Sequence, residues 1–306
     1  MNINSPHLLK ELGKDLSHKV IVIGGMHGNE VSGIEAMQRV LDQLEKHPEW
    51  QEKGEVYFLK GNLSALEKGE RFIDKDLNRL WLEKFINEEN SSISDTKELK
   101  ELHQLIEEIC GGEYSNCTLL DLHTFSAESG IFCIPNCHKT SLDLASSFHI
   151  PFIEKLAENL PGTALSYYGN KGMTSIVVEG GTHNTPRATE NLEAAIWHLL
   201  AYKKIINPDL NIVKESRERL QKEGEIYPYH LELTYRHQLD NSSLFKMNKG
   251  YFNFKEIKKN EALAKHKETE ITSPHEGFML MPLYQKKGSD GFFIVKEIKD
   301  KYVKRK

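Results

Sequence analysis

Residues 19–24, Lys-Val-Ile-Val-Ile-Gly, hold four consecutive β-branched apolar positions. A strand with one wet face alternates, whereas an unbroken run of this kind belongs to a strand buried on both faces. Shorter runs recur at 56–59, 118–122 and 175–178. Between them lie helical patterns at 34–44 and at 96–109, the latter with Leu99, Leu102, Leu105, Ile106 and Ile109 on one stripe. Leu192, Ala195, Ile196 and Leu199 mark a long helix that stops before Asn207-Pro208. The polar stretch 87–95 reads as a loop. Strands alternating with helices predict an α/β fold, with a mostly parallel or mixed sheet covered by helices. From 211 onward the apolar segments become short and alternating, at 230–235, 278–283 and 292–295, with Gly250, Gly277, Gly288 and Gly291 between them. The expected organisation is a larger α/β domain over 1–210 and a small β-rich domain over 211–306.

The length of 306 residues fits that division. No internal repeat is visible. A net charge of −5 supplies no broad positive field for nucleic acid, so any anion site must be local. No apolar run approaches the ~18 residues of a membrane span. The N-terminal MNINSPHLLKELGKDL carries charges where a signal peptide needs its apolar stretch. Four cysteines make no disulfide framework. A cytoplasmic protein is expected, with its oligomeric state open, a homo-oligomer included.

Three of the strand runs end in chemically capable residues. VIVIGGMHGNE places His27 and Glu30 just past the first strand, TLLDLH ends on His123, and SIVVEGG ends on Glu179. In open parallel sheets the ligand crevice lies beyond the carboxyl ends of the strands, so these residues should converge. Two histidines and a glutamate suit zinc, and three protein ligands leave a position for water. The glycines around His27 permit a tight turn. RFIDKDLNR puts Arg71, Asn78 and Arg79 within nine residues, a compact anion site in an acidic chain.

Four motifs in this order, Gly25-Met26-His27-Gly28-Asn29-Glu30, Asp76-Leu77-Asn78-Arg79, Asp121-Leu122-His123 and Glu179-Gly180, resemble the succinylglutamate desuccinylase and aspartoacylase family, a branch of the zinc carboxypeptidases. SPHEGFMLMPLYQKKGSDGFF resembles that family's β domain, which tends to cap the site. The resemblance implies one zinc held by His27, Glu30 and His123, with Glu179 as general acid and base. It implies that Asn78 and Arg79 hold a substrate carboxylate and that Arg71 polarises the scissile carbonyl. The implied reaction is deacylation of a small N-acyl amino acid of the N-succinylglutamate or N-acetylaspartate type, by water activated at zinc. One departure stands out. Aspartoacylase has a further arginine about ten residues before its catalytic glutamate; here YYGNKGMTSIVVEGG offers only Lys171. Lys171 either stands in for it as a softer recognition element or faces solvent, so a modest preference for acidic substrates is expected.

Plainer readings stand beside these. Arg71 and Arg79 could be ion-pair partners of Asp74 and Asp76, and Asp121 could orient a ligand histidine or pair elsewhere. Cys133, Cys137 and His138 read as ordinary residues, His183 and His275 as solvated loop histidines, 255–259 as a solvated face, and Trp81 and Phe85 as packing residues. The rival functions are a zinc carboxypeptidase acting on peptides and a non-catalytic zinc-fold binding module.

Overall fold

The computed structural model describes residues 5–13, 15, 17–89, 91–128, 130–240 and 242–299. Parts of the N-terminal stretch, and Asn90 within the polar loop, lie outside the described residues. Fourteen strands are described: β1 (Leu8–Gly13), β2 (Lys19–Gly24), β3 (Glu55–Lys60), β4 (Cys117–Phe125), β5 (Phe132–Pro135), β6 (Phe152–Glu154), β7 (Thr174–Thr182), β8 (His230–Gln238), β9 (Phe245–Met247), β10 (Glu256–Ile257), β11 (Ala262–His266), β12 (Thr269–Thr272), β13 (Gly277–Leu280) and β14 (Asp290–Glu297). The helices are α1 (Ser32–Lys46), α2 (Leu63–Lys68), α3 (Glu83–Ile86), α4 (Ser94–Cys110), α5 (Lys139–Ser147), α6 (Ala164–Asn170), α7 (Pro186–Tyr202) and α8 (Asn211–Gly224).

Eleven strands form one mixed sheet, ordered β1-β3-β2-β4-β7-β5-β6-β8-β14-β13-β10. Its centre, β3-β2-β4-β7, is parallel. β1 joins β3 antiparallel, and β5 runs antiparallel to β7. Parity explains how both faces of β2 are used. Val20 and Val22 face a core built with Ala36, Met37 and Val40 of α1 and with Leu192 and Leu199 of α7. Ile21 and Ile23 face the other way, onto Leu99, Leu102 and Ile106 of α4. The same parity runs through β4 and β7. Leu120, Leu122, Ile176 and Val178 pack toward α1 and α7, which turns Asp121, His123, Phe125, Val177 and Glu179 to the opposite face.

The C-terminal segment departs from the expected texture at its start. Residues 211–224 form helix α8, which packs on α7. Val213, Ser216, Leu220 and Gly224 are its buried positions. The spacing is helical, but only two of these residues are large and apolar. β8, β14, β13 and β10 then extend the main sheet, while β12-β11-β9 make a separate small one. Among the described residues no helix is long and apolar enough to cross a membrane.

The turn after β2 lies directly on α2. Gly28 donates its N–H to the Arg71 carbonyl at 3.3 Å, and a Cβ added at Gly28 would stand 2.0 Å from the Ala65 carbonyl carbon and 2.1 Å from its oxygen. Backbone on both sides leaves no flexible group to yield. Gly28→Ala should therefore destabilise the protein by roughly 1–3 kcal/mol, the usual scale for forced overpacking. Urea denaturation reads this directly, and an unchanged midpoint would contradict the close approach.

Candidate metal centre and its cavity

His27 and Glu30 sit in the turn between β2 and α1, His123 lies inside β4, and Glu179 lies inside β7. β4 and β7 continue past the positions where the apolar runs stop, so both residues belong to strands and face each other across the β4–β7 ladder. Glu30, with 2% of its surface exposed, is the hub. One carboxylate oxygen lies 2.8 Å from His27 Nδ1 and 3.2 Å from an Arg71 guanidinium nitrogen. The other lies 3.1 Å from His123 Nδ1 and accepts the Thr124 N–H at 2.9 Å.

The far nitrogens of both rings also meet carboxylates. His27 Nε2 is 3.0 Å from Asp76, and His123 Nε2 is 3.0 Å from Asp121. A neutral imidazole carries one proton and one lone pair. Each ring therefore either carries a second proton or shares its Nδ1 lone pair with a cation. Asp121 thus takes the role of orienting a histidine, and Asp76 does the same for His27 while also pairing with Arg71 at 3.2 Å.

The charge balance points the same way. Glu30, Asp76, Asp121 and Glu179 crowd around Arg71, with the Arg79 guanidinium also acting on Asp76. Burial opposes charge at His123, but Asp121 and Glu30 hold its pKa well above the usual histidine range. Burial also opposes charge at Glu30 and Asp76; their histidine partners, with Arg71 and Arg79 also acting on Asp76, hold both carboxyls well below the usual range. Glu179 behaves in the opposite way. Burial, reinforced by Glu30 and Asp121 against His123 and Arg71, pushes its pKa up to about 8. One of its oxygens is buried without a hydrogen-bond partner.

His27, Glu30 and His123 each offer a ligand atom, all within 4.8 Å of one another. The 2.8 and 3.1 Å contacts between nitrogen and carboxylate approach the roughly 3.3 Å edge of a tetrahedron with ~2.0 Å bonds to zinc. Donor chemistry, spacing, supporting carboxylates and missing positive charge all fit a zinc ion. Among the described residues this is the single cluster of such groups.

The loop carrying Arg71 and Asp76 is fixed by a residue with no counterpart in the sequence reading. Asp95, fully buried at the start of α4, accepts hydrogen bonds from Asn62 Nδ2 and from the backbone N–H groups of Ile73, Asp74 and Lys75 at 2.6–3.2 Å. Asn78 is within 3.4 Å of His123 Nε2 and accepts the Ala164 N–H at 3.2 Å. Arg79 donates to the Asn78 carbonyl at 2.7 Å and to Asp290 at 3.1 Å. Asp290 also binds Arg236 at 2.6 Å.

The cavity beside these groups encloses about 870 Å³ of non-protein space, its mouth included. His27, Glu30, Arg71, Asn78, Arg79, His123 and Glu179 all line it. Lys171 does not. Its ammonium binds Glu107 at 3.3 Å and the Tyr114 hydroxyl at 3.2 Å, and it lies over the Tyr114 and Tyr167 rings. Helix α6 ends at Asn170 and turns the side chain toward α4, so Lys171 does not stand in the place of the missing arginine. His183 also differs from expectation: it is half-buried, 2.7 Å from the Thr124 hydroxyl, and burial lowers its pKa. Cys133 is buried and Cys137 exposed, both as free thiols. Trp81 is a buried packing residue.

The sequence profile of the succinylglutamate desuccinylase/aspartoacylase catalytic domain matches residues 17–201, well over half of the chain. A succinylglutamate desuccinylase from Pseudomonas putida is 39% identical over 67 residues, which are 22% of this chain and 20% of that protein. A probable aspartoacylase from a Nostoc species is 30% identical over 121 residues, 38% of each chain. The chain thus spans only about a fifth to two-fifths of the curated relatives it matches. A solved succinylglutamate desuccinylase/aspartoacylase from Rhodobacter sphaeroides superposes with a TM-score of 0.68 at 16% identity, covering 95% of this chain and 88% of that one. This likeness extends the shared fold over nearly the whole chain.

The raised pKa of Glu179 has a sign that can be measured on metal-free protein. Its folded value of about 8 lies above the ordinary glutamate value of 4.5. The folded state therefore holds the proton more tightly. The stabilisation is complete below the unfolded pKa and is lost as pH rises from about 4.5 through about 8. In Glu179→Gln that component is absent. The stability of wild type relative to this variant should fall with pH across the window, with a slope of at most about 1.4 kcal/mol per pH unit. Parallel pH curves for the two proteins would contradict the buried, protonated carboxyl.

Proposed function

Because the chain belongs to the succinylglutamate desuccinylase/aspartoacylase family, we propose that it is a zinc-dependent amidohydrolase that removes the acyl group from an N-acyl amino acid. His27, Glu30 and His123 would hold the ion. When bound, zinc supplies Lewis acidity, which makes water acidic enough to react near neutral pH and polarises a carbonyl.

The remaining work falls to the chain itself. Asp76 and Asp121 hold the two imidazoles with Nδ1 facing Glu30. Arg71, tied to Glu30 and Asp76, polarises the scissile carbonyl. Asn78 and Arg79 receive the carboxylate of the amino acid. Glu179 takes the proton of the attacking water and delivers it to the leaving nitrogen.

The observation that carries this reading is the Glu179 carboxyl, buried on the cavity face of β7 with one oxygen free of partners. A group that both accepts and donates a proton works best with a pKa near the operating pH. The metal-free value of about 8 is one that a nearby dication would draw down toward neutrality. A module that only binds has no use for such a group. Small substrates are favoured over peptides because Met281, Pro282, Leu283 and Gln285 line the cavity from the C-terminal side.

Purified protein should hold about one zinc per chain by elemental analysis. Release of amine from a mixed panel of N-acyl amino acids should stop on chelation and return with zinc. His123→Ala should lose the metal and Cys137→Ala should keep it; full activity without metal would end the zinc reading. Glu179→Gln should retain zinc and lose about 100-fold or more in turnover, the scale of acid–base catalysis. Near-wild-type turnover would show that another group moves the proton.

A further inference from the structure

The cavity is divided. Its polar end holds the metal-ligand cluster, Glu179 and the two arginines. Its other wall is formed by Phe125, Ile134, Leu165, Val177, Met281 and Phe293. Strand parity generates the division. Phe125 follows His123 by two residues on β4, and Val177 precedes Glu179 by two on β7, so each shares a face with a polar site residue. Ile134 on β5 and Phe293 on β14 belong to the same apolar cluster as Phe125, Leu165 and Val177.

The cations available to a ligand are few. Among the described residues lining the cavity they are Arg71 and Arg79. Arg71 is engaged by Glu30 and Asp76. Arg79 is engaged by Asp290, which keeps Arg236 as a second partner and so can give Arg79 up to a ligand carboxylate. The site thus has capacity for one carboxylate. A second would meet no further cation, only neutral donors such as Thr163, Gln285 and Ser289, which replace its water poorly, whereas an aliphatic or aromatic group gains from contact with the apolar wall.

On the hydrolase reading above, we infer that the substrates are N-acyl amino acids bearing a single carboxylate and an apolar group, the latter seated against the Phe125–Val177 wall. The apolar group is either the amino-acid side chain or the acyl tail, both of which present the same chemistry to the wall. N-acetylaspartate and N-succinylglutamate, with additional carboxylates, fit poorly.

Binding to zinc-loaded Glu179→Gln protein, followed by calorimetry, tests this separately from turnover. The ligands are N-acetyl-L-leucine and N-acetyl-L-phenylalanine for the side-chain arm, N-hexanoylglycine for the acyl arm, and N-acetyl-L-aspartate and N-succinyl-L-glutamate for comparison. At least one apolar arm should bind about 30-fold or more tightly than N-acetylaspartate, and the better arm identifies which end meets the wall. Adding Val177→Ala should weaken that arm about tenfold, the worth of roughly two methylenes, and leave N-acetylaspartate unchanged. Equal or tighter binding of N-acetylaspartate or N-succinylglutamate overturns the inference. Apolar binding without turnover by the wild-type protein overturns the hydrolase reading and leaves the apolar preference standing. Absence of binding by every ligand overturns both.

Discussion

The Glu30 carboxylate, buried between the Nδ1 atoms of His27 and His123, is the interaction around which the rest of the molecule is arranged. A charge taken out of water needs compensation from several directions at once. The chain provides it from three separate segments: the turn after β2, the 71–76 loop, and strand β4, which contributes both the His123 ring and the Thr124 backbone N–H. Asp95 holds the 71–76 loop from outside, and Gly28 lets the turn lie against α2. Each of these features would be costly alone, and together they leave a small space rich in negative charge. A dication fits that space better than additional protons, because protons would fix the imidazoles as cations and remove the lone pairs that the arrangement presents.

The same sheet that makes the polar centre also makes its apolar neighbour. Along β4 and β7, successive residues alternate between the helix-covered core and the cavity, and along the cavity face itself the chemistry changes from polar to apolar within two residues. The Glu179 carboxyl and the apolar wall beside it are therefore set by one register. The C-terminal strands complete the enclosure: β14 contributes Phe293 and Asp290, so the apolar wall and the partner of Arg79 come from the same strand. The two ends of the cavity are thus joined through residues far apart in the chain.

How much of this was legible in the sequence follows from how local each signal is. β2 was readable to the residue because both its faces are buried, and His27, Glu30, His123 and Glu179 were readable because each adjoins such a run. β1 was not, since Leu-Leu-Lys-Glu-Leu-Gly lies at the sheet edge, half-exposed, with charges in the middle. β5 and β6, at four and three residues, are too short to show a period. Helix α8 is mostly polar and rests on α7 by few large side chains. Asp290 had no local signature at all, because its partner Arg79 is 211 residues away. Lys171 was placed at the cavity by its sequence distance from Glu179; the end of α6 directs it to Glu107 instead.

The central claim, that two imidazoles and one carboxylate share a metal ion, is tested most directly by X-ray absorption at the zinc edge on protein purified without added metal. The account predicts a first shell of nitrogen and oxygen at about 2.0–2.1 Å, with the multiple-scattering signature of two imidazoles and no sulfur. A sulfur shell near 2.3 Å would place the metal on the cysteines, and a spectrum of hydrated zinc would place it on no protein site; either would contradict the account.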